Sequence, residues 1–169
     1  MIEAYQQDAY LRLGDCQMMT KQYKAALEIY QNAIEWEWTT VDYATLQKAI
    51  IVGGMGKANE KIKILKELVS QFPKSPYIND AFMELSDTYT NQENFDAAIE
   101  PLSKVLIDKR ASSYYPQAYY KLGIVYFNLN KKPVNLGVSY GDEGWVSLWV
   151  DSKGKDANEK YIPEACTSL

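Results

Sequence analysis

Apolar positions along this chain recur three or four residues apart in short stretches, each closed by a polar or glycine-rich break, which is the spacing of half-buried helices. Ala9 to Gly14 opens the first stretch, where Tyr10, Leu13 and Gln17 share a face. Tyr23 to Ile34 follows, with Ala26, Leu27, Tyr30, Ala33 and Ile34 on one stripe. The next pair runs from Tyr43 to Val52 and from Asn59 to Phe72, the latter with Ile62, Leu65, Leu68, Val69 and Phe72 in phase. Gly53-Gly54-Met55-Gly56 divides these two helices, and Pro73 stops the second. Ala81 to Tyr89 pairs with a stretch from Phe95 to Leu106, for which Asn94 is the expected N-cap and Asp96 suits the helix dipole. Pro101 lies inside that helix and predicts a kink, with the Ala97 carbonyl left without its helical partner. Ala118 to Phe127 begins a fourth pair, but Pro133, Gly137, Gly141 and Gly144 stand where its second helix should run.

A short phrase repeats with this pattern. It reads Leu13-Gly14-Asp15-Cys16, Leu85-Ser86-Asp87-Thr88 and Leu122-Gly123-Ile124-Val125, with intervals of 72 and 37 residues and a weaker copy near the midpoint of the longer one. A period of about 36 residues with two helices per unit marks a helical repeat, whose units bury their apolar faces only by stacking. The predicted fold is all-α: a right-handed superhelical solenoid of antiparallel helix pairs over residues 1–132, with three full repeats and the first helix of a fourth. Residues 133–169 form an irregular C-terminal tail, either a native cap or non-native sequence. Gly14, Ala26 and Ala33 are small enough to let helix backbones approach, and Tyr30 fills the space beside them. The start, Met1 to Gln7, has no signal-peptide pattern and runs straight into a repeat, which reads as a piece cut from a longer protein.

Composition narrows the chemistry. A net charge of −4 with no Lys/Arg cluster argues against nucleic acid as a partner. Histidine is absent, which removes the commonest general base and the usual zinc ligand. Asp15 and Asp87 lie two repeats apart with no base or metal ligand joining them, so no enzyme, metal site or cofactor is expected. Cys16 and Cys166 stand at opposite ends of the predicted stack; Cys16 reads as a small core residue rather than half of a disulfide. Gly53 to Lys57 has the wrong spacing for a phosphate loop and no Ser or Thr after the lysine, so it reads as a helix end with left-handed glycines. No apolar run approaches the roughly 20 residues that span a bilayer.

Tyr10, Leu13, Gly14, Gln17, Ala26, Tyr30 and Ala33 resemble the tetratricopeptide repeat pattern, as do Phe82, Leu85, Ser86, Tyr89, Ala98, Leu102 and Val105, and Tyr119, Leu122, Gly123 and Tyr126. The resemblance covers residues 7 to 132 and is weakest in the second unit. Phe72-Pro73-Lys74-Ser75-Pro76-Tyr77 is similar to the inter-repeat segment of bacterial cell-envelope members, the Tol-Pal-associated coiled-coil proteins and the outer-membrane assembly lipoproteins. That implies a periplasmic or cell-envelope parent, with the cytoplasm as the alternative. The family resemblance implies a non-catalytic scaffold for a protein or peptide. A structural spacer is the other reading, with self-association through uncapped repeat ends left open.

In this family the first helices line a concave groove. The lining would be Asp8, Arg12, Asp15, Met19, Tyr43, Gln47, Ile50, Met83, Asp87, Asn91, Tyr120, Ile124 and Asn128. The family's carboxylate-gripping Lys and Asn are replaced by Leu11 and Asp15 in the first unit and by Leu46 and Ile50 in the second, which cannot hold a carboxylate. Tyr10, Tyr30, Tyr89, Tyr119 and Tyr126 fall at repeat-core places; Trp36 and Trp38 either cover an inter-repeat seam or form an exposed binding pair. One continuous apolar patch through Tyr43, Met83 and Tyr120 would favour recognition, and a mixed charged surface the spacer.

Overall fold

A computed structural model describes residues 4–129. It contains seven α-helices: α1 (Ala4–Met19), α2 (Tyr23–Glu35), α3 (Val41–Gly54), α4 (Ala58–Gln71), α5 (Ile78–Asn91), α6 (Phe95–Ile107) and α7 (Tyr115–Leu129). A 3-10 turn at Lys109–Tyr114, absent from the sequence reading, joins the last two. No strand occurs among the described residues. The expectations for Pro133, the C-terminal tail and Cys166 lie outside the described residues. The chain divides between Gln92 and Glu93 into two compact units, so α5 and α6, paired by the repeat pattern, belong to different ones.

The first unit holds α1 to α5. Its second helices carry the predicted stripes: Ala26, Tyr30 and Ala33 on α2, and Leu65 and Leu68 on α4, are fully buried. The matching face of the next first helix covers each stripe. Ala44 and Ile51 of α3 join Ala26, Tyr30 and Ala33 in one cluster with Leu11 and Trp38, while Ala81, Leu85 and Thr88 of α5 are buried where that helix packs beside α4. Gly14 performs the close approach expected of it. A Cβ there would lie 2.9 Å from Ile29 Cγ2 and 3.1 Å from Tyr30 Cζ, so any side chain would push α2 away.

Two expectations for α1 are corrected. Cys16 is exposed rather than a core residue, and Leu13 is 49% exposed while its counterparts Leu85 and Leu122 are buried. The physical reason is placement, not chemistry: this face of α1 points away from α2, and no helix among the described residues packs over it.

In the second unit α6 lays Ala98, Leu102 and Val105 against α7, where Ala118, Leu122 and Val125 are equally buried. Asn94 caps α6 as expected, accepting from the Ala97 amide at 3.4 Å. The helix runs from Phe95 to Ile107 across a buried Pro101 as one element.

Backbone geometry marks the turns. Lys21, Gly56 and Glu93, at intervals of 35 and 37 residues, all take positive φ between the two helices of their repeat, at 62°, 80° and 58°. Of the glycines at 53–56 only Gly56 is left-handed, so the turn needs one such residue rather than several.

Candidate functional site

The predicted lining is built on the first helices, and the residues of α1 and α3 meet. Asp15 is the centre of that meeting. Its Oδ1 accepts from the Tyr30 hydroxyl at 2.6 Å and from the Tyr43 hydroxyl at 2.7 Å, and its Oδ2 accepts from Arg12 Nη1 at 3.0 Å. Arg12 also reaches Asp8 at 3.4 Å. One carboxylate thus ties α1 to α2 and α3. Burial, followed by the bond to Asp15, pushes both phenols well above the usual tyrosine range. Both stay neutral donors at physiological pH, and Asp15 accepts three hydrogen bonds from within the fold.

The Tyr43 ring lies 5.2 Å from that of Tyr77, at the end of the junction 72–77. That junction is itself fixed to α3: Ser75 Oγ donates to Asp42 Oδ2 at 2.6 Å and accepts from the Tyr77 amide at 3.0 Å. Sequence reasoning identified the junction but not its anchor, which is 33 residues away. Lys61 on α4 donates to Glu84 on α5 at 2.6 Å, another inter-helix tie that no local motif announces.

The other predicted positions divide. Asp8, Arg12 and Met19 on α1 and Asn91 on α5 are exposed; Gln47, Ile50 and Asp87 are half-buried. Gln47 Oε1 is buried without a hydrogen-bond partner. Met83 is 7% exposed and offers no apolar surface. Counting in register explains it: Met83 takes the place of Leu11 and Leu46, both core residues, and the groove place beside it belongs to Glu84. In the first unit, therefore, the expected apolar patch through Tyr43 and Met83 does not form. The face presents Asp8, Arg12, Asp15, Asp80, Glu84 and Asp87, which is polar and mostly acidic.

In the second unit Tyr120 is 68% exposed, and Ile124 and Asn128 are also at the surface, with Asn128 Nδ2 donating to the Ile124 carbonyl at 2.7 Å. The tryptophans split between their two readings. Trp38 is buried in the α1–α3 cluster, whereas Trp36 is 51% exposed and leans on Tyr10, with ring centroids 5.8 Å apart. Tyr30, Tyr89 and Tyr126 are buried and Tyr10 and Tyr119 half-buried, in keeping with their core places.

Residues 8–35 match the tetratricopeptide repeat family model. Among solved structures, the chain is similar to MamA, with a TM-score of 0.59 and 23% identity over 73% of this chain and 63% of that one. A second MamA structure aligns over 69% of this chain and 64% of its own, with a TM-score of 0.57 and 23% identity. The chain thus spans less than two-thirds of either MamA chain. A Podosopora anserina kinesin light chain with nearly identical tetratricopeptide-like repeats matches with a TM-score of 0.61 and 18% identity, over 77% of this chain and 69% of that one. At these identities the likeness is one of fold. Comparison with curated proteins gives no match.

Proposed function

We propose that this chain is a non-catalytic scaffold of tetratricopeptide type that engages a protein or peptide on the first-helix face of its α1–α5 unit. The observation that carries the reading is the division of labour around Asp15. Its bonds to Tyr30 and Tyr43 hold three helices in fixed relation and leave Asp8, Arg12 and Met19 exposed on the face they frame. A partner there meets carboxylates and one guanidinium rather than an apolar patch, so recognition is polar and screened by salt. Photo-crosslinkers placed at Met19 and, as a control, at Glu67 on the outer side of α4 test it in cell extract. Capture from Met19 alone, lost in an Asp8→Ala/Arg12→Ala variant, supports the reading; equal capture from both sites sinks it.

The spacer reading is favoured by a different observation. Of the four aromatic and methionine residues of the expected lining, Met19, Tyr43, Met83 and Tyr120, Met83 is buried and the half-buried Tyr43 spends its hydroxyl on Asp15. A chain in which replacing the whole first-helix face leaves cell function intact would select that reading. Residence in a bacterial cell envelope rests on the 72–77 junction alone and is tested by fractionating the source cells. Recovery of the protein only with cytoplasmic markers would refute it.

A further inference from the structure

Trp36 and Trp38 stand two residues apart and meet opposite fates. Glu37 between them is left-handed, with φ at 51°; Trp38 enters the core of the first unit, and Trp36 stays 51% exposed at the end of α2. The exposed indole is nevertheless held in place. Its ring centroid lies 5.4 Å from that of Trp38 and 5.8 Å from that of Tyr10, and the Tyr10 and Trp38 rings are 5.5 Å apart. The Tyr10 hydroxyl accepts from Asn32 Nδ2 at 3.0 Å, which anchors that ring to α2 as well. At these separations the rings touch one another, so the trio encloses no cage and offers instead the open surface of a fixed Trp36. The charge along this stretch has one sign. Glu35 and Glu37, the chain neighbours of Trp36, are both exposed. From Ala25 to Gln47 the chain carries Glu28, Glu35, Glu37 and Asp42 and no lysine or arginine. Trp36 also caps the C-terminal, negative end of α2, whose last turn has no basic residue.

We infer that Trp36 is a docking point for an arginine of a partner protein, its guanidinium stacked on the indole and bonded to Glu35 or Glu37. The ring quadrupole attracts a cation laid on its face, and the carboxylates and the helix end add to that attraction. Arginine suits the site better than lysine, because its planar, weakly hydrated head stacks on aromatic rings and pairs with a carboxylate through two N–H groups. This chain does not supply the group itself. It has two arginines, and Arg12 is paired with Asp8 and Asp15 and Arg110 with Asp108. Neither residues 1–3 nor residues 130–169 contain one, and a second copy brings only the same two engaged side chains. The site is on α2 rather than on the first-helix face, so the inference stands independently of the groove reading.

The indole N–H of Trp36 reports on the site directly. Its NMR signal, identified by its loss in Trp36→Phe, is followed in the full chain as a capped Gly-Arg-Gly-Arg-Gly peptide is added. A saturable shift is expected. The Kd should rise about tenfold when citrulline, which keeps the shape of arginine without its charge, replaces both arginines of the peptide. It should rise about fivefold in the Glu35→Gln/Glu37→Gln protein, which keeps an acceptor for the Gln31 amide and, being changed only at exposed places, its helical circular dichroism. The shift should persist in the Asp8→Ala/Arg12→Ala groove variant, which separates failure here from failure of the groove. No shift, or equal affinity for the citrulline peptide, overturns the inference. So does a lysine peptide that binds as tightly as the arginine one, because the lysines of this chain or of a second copy would then fill the site. A Trp36 signal that a soluble paramagnetic probe fails to relax in the free chain overturns it too: at every protein concentration this means the chain's own residues cover the indole, and only at high concentration it means a second copy does.

Discussion

The seam between α2 and α3 and the seam between α6 and α7 use one packing register and opposite chemistry. Across the first, Tyr30 sits fully buried between Ala26 and Ala33 and sends its hydroxyl to Asp15, which also holds Tyr43. Across the second, the place of Tyr30 is taken by Leu102, and the facing Ala118, Leu122 and Val125 are apolar. Asp15 itself lies on α1, outside the seam; its register gives Ile50 on α3 and Ile124, at the surface, on α7. Apolar burial alone suffices to close a repeat seam. The polar centre in the first unit adds direction: two hydroxyls converging on one oxygen fix how α1, α2 and α3 are rotated about their axes.

That contrast can be broken at either end. Leu102→Ala should destabilise the second unit by about 2–5 kcal/mol, the range for a leucine truncated in a close-packed site. Hydrogen exchange resolved by segment would show the loss in α6 and α7; unchanged protection there would mean the seam is not closed by burial.

Asp15→Ala should cost the first unit about 1–3 kcal/mol, because the Tyr30 hydroxyl stays buried with no acceptor. Ile124→Ala, at the same register, should cost less than about 1 kcal/mol because its side chain is already partly in water. Urea titration compares the two, and a larger loss at Ile124 would reverse the assignment of roles.

Alkaline pH sharpens the same comparison. The folded state holds the Tyr30 and Tyr43 protons to higher pH than the unfolded chain, which sheds them near pH 10. The contribution of these groups is therefore full below about pH 10 and declines above it. Tyr30→Phe with Tyr43→Phe should flatten the alkaline limb of stability in the first unit, and an unaltered limb would assign it to other groups.

The smallest effects belong to the turns. Lys21→Gly and Glu93→Gly should each stabilise by about 0.5 kcal/mol, relief of left-handed strain being partly offset by added chain entropy. Gly56→Ala should destabilise by about 1 kcal/mol. Melting temperatures moving in one direction for all three would refute a shared left-handed position.

The helices and their buried stripes were legible in the sequence because 3.6-residue periodicity is a local property. Ala26, Tyr30 and Ala33 follow from spacing, and Ala98, Leu102 and Val105, buried likewise, hold the places that the repeat resemblance implies. Periodicity gives the phase of a face but not whether a neighbour covers it, which is why Cys16 and Leu13 were read as interior. Met83 shows the second limit. The interval between units changes from 35 to 37 residues, and a slip of one position turns a groove residue into a core one. The ties Asp15–Tyr43 and Asp42–Ser75 join residues 28 and 33 apart, separations that no helical repeat encodes.

The left-handed residues Lys21, Gly56 and Glu93 have a consequence for how the chain can be rearranged. Each is a backbone hinge of fixed hand at an equivalent place, so segments exchanged at these positions would meet in matching conformations whatever side chains they carry. The repeat is thus punctuated by main-chain geometry as well as by its apolar stripes. Shuffled or lengthened versions of this chain should be spliced at residues 21, 56 and 93 rather than at the Leu-Gly phrase.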